Sequence, residues 1–301
     1  MERFFGIDVG GNHVKTGIVD KNGEINDFKS HATADLRKDG RFIENLCDVI
    51  TFRLINHKEI KKIGIGLPGT ITKDRKAPIE VTAIPEINGM PMYDMLKKRF
   101  PDKEFFLEND ANAAGLGELI YSKTDLPDTF CFITLGTGIG SAAVIDGKIF
   151  KGGDGNGLEL GHILSRNNLV LEQNIGKAGI LKLIEERLRD YNGETLVSRT
   201  EPISATRTVV AASQGDDFAK SVFFEVGEML GEGLVALIRI MDIKTILIGG
   251  GLSAAYDFIL PGAKSIVETR LTPYYTSALD IRLASLGNDA GLQGAAALCF
   301  E

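Results

Sequence analysis

The chain carries one short pattern twice, 126 residues apart, and that repeat limits the folds open to it. FFGIDVGGNHVKTGIVD opens the protein, and CFITLGTGIGSAAVID begins at Cys131. Setting Asp8 on Thr134 puts Ile7 on Ile133, Val9 on Leu135 and Gly10 on Gly136. Without a gap it also puts Ile18 on Val144, Val19 on Ile145 and Asp20 on Asp146. Each copy is an apolar β-rich run, a glycine-bearing turn, a second apolar run and an acidic end. That pattern predicts a β-hairpin whose turn lets a ligand approach the backbone closely. Two such turns facing each other could hold the phosphates of one nucleotide from both sides.

Between and after the hairpins, the chain alternates strand and helix patterns. A third strand is expected near Ile25–Lys29, and a helix over about 40–56, where Phe42, Leu46, Val49, Ile50 and Leu54 share a face. KKIGIGLPG reads as a buried strand running into a turn at Pro68-Gly69. A helix is predicted at Met92–Phe100, followed by the strand EFFLEN and the small-residue helix ANAAGLGELI. The second hairpin then restarts the pattern, which places a domain boundary near residue 112. Downstream, helices are expected at about 172–190, 202–213 and from Asp217 to Met241. TILIGGG is read as a strand followed by a helix, IRLASLG as the last strand and DAGLQGAAALCF as a closing helix. Strands alternating with helices from two hairpin starts give an α/β protein with a duplicated core.

Composition excludes several classes. A net charge of −7 argues against nucleic acid as the main partner, because phosphate backbones need a basic face. Cys47, Cys131 and Cys299 are odd in number, far apart and set in apolar runs, so they read as reduced core thiols of a cytoplasmic protein. No cysteine pair has zinc spacing. No apolar stretch reaches the roughly 18 residues that a membrane span needs. The N-terminus enters a strand directly, without the pattern of a secretory leader.

The residues that carry chemistry sit at strand ends. Asp8 lies two residues before Gly10-Gly11, where it is either an acidic turn residue or a carboxylate for Mg²⁺, with the N–H groups of residues 10–12 facing phosphate. Leu135-Gly136-Thr137-Gly138-Ile139-Gly140 is followed by β-branched residues rather than a helix, so a hairpin fits and a dinucleotide fingerprint does not. Gly249-Gly250-Gly251 ends a strand; it is either a tight turn or a bare surface for an adenine or ribose. Asn109-Asp110 stands where a strand meets a helix. Asp110 is either an N-cap or an ionised base held by the helix dipole, ready to take a proton from a hydroxyl. Glu159 and His162, three apart, share a helix face. With no cysteine or second histidine nearby a zinc site is not completed, and hydrogen bonding to a polar ligand is the better reading. Glu172 is either a ligand contact or a solvated helix residue.

Together these strings resemble the ROK family of sugar kinases, in the actin-like ATPase superfamily. DVGGN is similar to its first phosphate motif, LGTGIG to its second, ILIGGGLS to its adenosine motif and ENDANAAGLGE to its catalytic-base segment. LELGH and LEQ resemble its sugar-binding segments. The resemblance covers essentially the whole chain. It implies an α/β, duplicated actin-like (ribonuclease H-like) fold: a small domain of 1–112, a large one of 113–289, and a helix at 290–301 returning to the small domain. A sugar would lie in the cleft between domains, whose closure would exclude water. Asp110 would be the general base. Gly69, Glu86, Asn109, Glu159, His162 and Glu172 would lie around the sugar. Asp8 would organise Mg²⁺, directly or through water. Gly10, Gly11, Asn12, Gly136, Thr137, Gly138, Gly140, Gly249, Gly250 and Gly251 would hold ATP. A homodimer is implied as well.

Three departures accompany the resemblance. Asn12 stands where the family often has Thr. Pro85-Glu86-Ile87 replaces a Pro-Asn-Leu, which should change sugar preference. Only ILSRNNLV separates His162 from Leu171, where many members carry a Cys-rich zinc loop, so zinc is expected to be lost. The expected activity is transfer of the ATP γ-phosphate to a hexose or hexose derivative. The alternative is a non-catalytic sugar or nucleotide binder, or a sugar-sensing regulator, of the same fold.

Overall fold

The computed structural model describes residues 2–300. In chain order the strands are β1 (Arg3–Val9), β2 (His13–Asp20), β3 (Ile25–Ala32), β4 (Lys62–Leu67), β5 (Thr70–Ile71), β6 (Pro78–Glu80), β7 (Glu104–Asn109), β8 (Phe130–Leu135), β9 (Ile139–Ile145), β10 (Lys148–Ile149), β11 (Thr245–Gly249) and β12 (Asp280–Leu283). The α-helices are α1 (Thr33–Leu36), α2 (Phe42–Arg53), α3 (Met92–Arg99), α4 (Asp110–Tyr121), α5 (Leu171–Ile175), α6 (Lys177–Asp190), α7 (Ala205–Ser213), α8 (Asp217–Met241), α9 (Tyr256–Arg270), α10 (Pro273–Thr276) and α11 (Ala290–Ala297).

The repeat read from the sequence is a repeat of topology. One five-stranded sheet has the order β3-β2-β1-β4-β7 and the other β10-β9-β8-β11-β12, the same arrangement strand for strand. Both hairpin turns span the same three-residue gap, 10–12 and 136–138, at the predicted offset. In the first sheet β1 pairs antiparallel with β2, Asp8 opposite Lys15, and parallel with β4. β4 pairs parallel with β7, Leu67 opposite Asn109. The parallel strands β1 and β4 are nearly continuous apolar runs because both faces are covered.

By contacts the chain forms two compact units: Met1–Phe132 with Ala142–Leu158 and Ser285–Glu301, and Ile133–Ser141 with Glu159–Ala284. In the first, Phe5, Ile7, Phe42, Leu46, Ile63 and Ile65 fill one core and are fully or almost fully buried. On the other face α11 lies against α4 and the first sheet. Small residues permit that approach: a Cβ at Gly294 would overlap the Ala113 carbonyl, and one at Gly64 the Ala295 carbonyl. In the second unit α8 buries Phe218, Phe223, Leu230 and Leu234, and α9 lies close on it, since a Cβ at Gly227 would overlap the Ile259 carbonyl. Asp216 caps α8, its Oδ1 accepting from the Ala219 N–H at 2.7 Å.

Two predicted elements differ. The helix expected over 172–190 is two helices, because Gly176 is extended (φ −68°, ψ 170°) and has no room for a side chain between the Glu172 and Thr137 carbonyls. The helix expected from 202 starts at Ala205, after Ser204 takes the cap position and leaves Pro202 outside.

Candidate active site

The first glycine turn joins β1 to β2. The Gly10 N–H donates to the His13 carbonyl at 2.9 Å, closing it. Thr33, buried at the start of α1, ties it down twice: its hydroxyl donates to the Gly10 carbonyl at 2.7 Å and its N–H to that of Asn12 at 2.9 Å. At Gly11 a Cβ would stand 3.2 Å from the Ala83 methyl. Asp8, at the end of β1, has its carboxylate against the Cα of Gly291 at the start of α11. Burial holds the Asp8 pKa above the usual carboxylate range, opposed by the Lys15 ammonium at 3.5 Å.

The residues of that site fit a magnesium ion in one particular way. Asp8 is a largely buried carboxylate with the Lys15 ammonium 3.5 Å away. Among the described residues no three His, Cys, Asp or Glu side chains gather as a closed metal site would need. One carboxylate, completed by water and nucleotide phosphates, is how Mg²⁺ is commonly held. The three cysteines are buried thiols, and burial pushes Cys47 up to about 11, so they are not nucleophiles near neutral pH.

At the β7–α4 junction the cap is Asn109, not Asp110. The Asn109 Oδ1 accepts from the Asn112 N–H at 3.0 Å, and its Nδ2 donates to the Gly69 carbonyl at 3.0 Å. One amide hydrogen and one lone pair of Asn109 remain for a ligand. Asp110 is the first helical residue, and its Oδ1 accepts from the Ala111 N–H at 2.8 Å. Gly69 can face Asn109 because it adopts φ +78°, with the Glu80 carbonyl where a Cβ would stand.

Directly beneath lies a group that sequence reading missed. Glu108 is 3% exposed. Its Oε1 accepts from the Asn109 N–H at 2.9 Å and from Asn112 Nδ2 at 3.3 Å. Arg75 Nη2 stands 3.1 Å from the same oxygen, and Lys151 Nζ 3.2 Å from Oε2. Arg75 also donates to the Gly155 carbonyl at 2.5 Å, and Asn156 pairs with both backbone groups of Ile71. A carboxylate ending the otherwise apolar run FFL was the available signal. Arg75 and Lys151 gave none, since exposed-looking cations are common in loops.

Glu86 is held by Arg37. The Arg37 Nε and Nη2 donate to its two oxygens at 2.7 and 2.9 Å, a bidentate pair. That hydrogen bonding keeps the Glu86 pKa below its ordinary value.

In the second unit, Glu172 opens α5 and points back at the glycine turn. Its Oε2 accepts from the Ile139 N–H at 2.8 Å, and it fills the space over Gly138. The Lys177 N–H donates to the Gly136 and Thr137 carbonyls at 3.1 and 3.3 Å. Gly250, at φ +83°, lies against Thr134 and the Leu135 backbone where a Cβ would clash, so the triple glycine packs on the end of β8. Glu159 and His162 do meet, Oε2 to Nδ1 at 3.3 Å, but across a single 3₁₀ turn at Leu160–His162 rather than along an α-helix. That turn is too short to make a helix face, and His162 is largely exposed.

Two copies of one five-stranded sheet, each with a glycine turn closing its first hairpin, define an actin-like ATPase fold. A family profile described as "ROK family" matches residues 4–301, and the chain belongs to the ROK family. The glucokinase of Thermotoga maritima is 29% identical over 99% of this chain and 98% of its own. A Cytophaga hutchinsonii protein, provisionally assigned as a sugar kinase, has a crystal structure with TM-score 0.92 and 37% identity, covering 99% of this chain and all of that one. The ROK family glucokinase of Streptomyces griseus, solved in complex with glucose and AMPPNP, gives TM-score 0.84 and 25% identity over 99% of both chains.

Proposed function

We propose that this protein is an ATP-dependent carbohydrate kinase that transfers the γ-phosphoryl group to a hydroxyl of a hexose or hexose derivative. The observation that carries this reading is the β7–α4 junction. Asn109 performs the capping through the Asn112 N–H, and Asp110 follows as the first helical residue, its carboxylate at the positive end of α4 where the helix dipole favours the ionised form. There it accepts the proton of the attacking hydroxyl, while Asn109, fixed by Gly69 and Asn112, orients that hydroxyl with its remaining hydrogen and lone pair.

In the turns at Gly10–Asn12 and Gly136–Gly140 the N–H groups of Gly10, Gly136 and Ile139 are taken by His13, Gly138 and Glu172, so the remaining N–H groups of those turns would face phosphate oxygens, and Gly249–Gly251 would offer a bare surface to the nucleoside. Asp8 would hold Mg²⁺, which when bound neutralises charge on the transferring group. Glu159, His162 and Glu172 supply hydrogen-bonding groups for the acceptor. Glu86, locked by Arg37, is a fixed carboxylate where an amide would read hydroxyls differently. A net charge of −7 favours a small-molecule partner over nucleic acid, and no helix among the described residues is long and apolar enough to cross a membrane.

ADP release with Mg·ATP over a panel of hexoses, hexosamines and N-acylated sugars tests the reading. Asp110→Asn should lower kcat by about 10²–10⁴ with little change in KM. Undiminished turnover would sink the base assignment, and no turnover with any sugar would favour a binding protein.

A further inference from the structure

The second glycine turn is closed by one internal hydrogen bond, the Gly136 N–H donating to the Gly138 carbonyl at 2.9 Å. Gly136 has open space where a Cβ would be, and three of the six residues from 135 to 140 are glycines. Further contacts come from the α5–α6 junction of the same unit. The Glu172 Oε2 accepts the Ile139 N–H at 2.8 Å, and the carboxylate sits so close over Gly138 that any side chain there would displace it. Behind it the Lys177 N–H reaches the Gly136 and Thr137 carbonyls. A carboxylate is an unfavourable neighbour for a phosphate-binding turn, yet beside any contact with the acceptor this one spends Oε2 on the turn's own backbone.

We infer that Glu172 is a positioning residue that orders the 136–140 turn for nucleotide phosphate before the nucleotide arrives. This rests on the reading of that turn as a phosphate site. A turn held in its bound shape spares the ordering cost at binding. A hydroxyl acceptor that engaged the same carboxylate would be coupled, reciprocally, to nucleotide affinity.

The test compares Glu172→Gln with Glu172→Met in the full chain, without sugar. Both remove the charge and keep the length, but only glutamine retains an oxygen that can accept from Ile139. Calorimetric titration with Mg·AMPPNP should give a Kd roughly 3- to 10-fold weaker for Met than for Gln, the size of one hydrogen bond. The Ile139 amide should exchange faster in the Met variant. If Glu172→Met does not fold, Glu172→Asp against wild type makes the same comparison at constant charge, one methylene short of Ile139. Equal Kd and equal Ile139 exchange in the paired variants overturn the inference. Exchange that differs while the wild type binds no nucleotide overturns instead the phosphate reading of the turn, and with it this role.

Discussion

Removing the charge of Glu108 should cost about 3 kcal/mol of stability, and the structure says which partner sets that figure. Glutamine keeps the volume and the Oε1 acceptor that serves the Asn109 N–H and Asn112 Nδ2. What it removes is the negative charge facing two cations. The Lys151 side chain is 43% exposed and can turn into water, so its loss counts for little. Arg75 is only 13% exposed and already has Nε and Nη1 buried without a hydrogen-bond partner. Stranding one member of a buried pair typically costs about 3–5 kcal/mol, and the retained hydrogen bonds favour the lower end. At about 2–4 °C per kcal/mol, the melting temperature should fall by roughly 6–12 °C.

A double-mutant cycle measured by urea unfolding gives the decisive sign. Arg75→Met combined with Glu108→Gln leaves no stranded charge and should be less destabilised than the sum of the single variants by about 1–3 kcal/mol. The coupling should persist in 1 M salt, where the Debye length falls to about 3 Å and exposed charges are screened but buried pairs much less. A Glu108→Gln cost below about 1 kcal/mol, or simple additivity, would refute the argument that this pair is buried and mutually dependent.

The carbonyl of Ala113 occupies the space a side chain would need at 294, so Gly294→Ala should force α11 off α4 at a cost of about 1–3 kcal/mol, read by thermal unfolding. Thr33→Val, nearly isosteric, leaves the Gly10 carbonyl without its 2.7 Å donor and should cost about 1–2 kcal/mol; a melt unchanged from wild type would show that water replaces it. Glu86 has its pKa lowered from 4.5 by Arg37, so its contribution is complete above about pH 4.5 and lost as pH falls through the folded value. Glu86→Gln should therefore lower stability by about 0.5–1 kcal/mol at pH 7, a deficit that shrinks as pH falls below 4.5 and through the folded value; a deficit independent of pH would contradict the ion pair.

The 126-residue repeat determined the most about this protein. Strand patterning is local and periodic, so Asp8 on Thr134 located both hairpins; the matching order of the two sheets was visible only in the structure. Helix α8 was legible at both ends because its apolar stripe is long and Asp216 caps it. The strand-end positions of Asp8, Asn109, Asp110 and the glycines were also legible, since turn chemistry requires those residue types.

The tertiary structure decided which atoms those residues spend on the fold. Sequence offered Asp110 as the cap of that helix; the Asn112 contact assigns the cap to Asn109 instead, and the Gly69 carbonyl holds the same amide. Glu86 and Glu172 looked like solvated or ligand-facing acids until Arg37 and the Ile139 N–H appeared opposite them. Glu108 found its cations 33 and 43 residues away in sequence, at Arg75 and Lys151. A side chain's partner depends on which distant backbone the fold brings within 3 Å, and no local pattern encodes that distance.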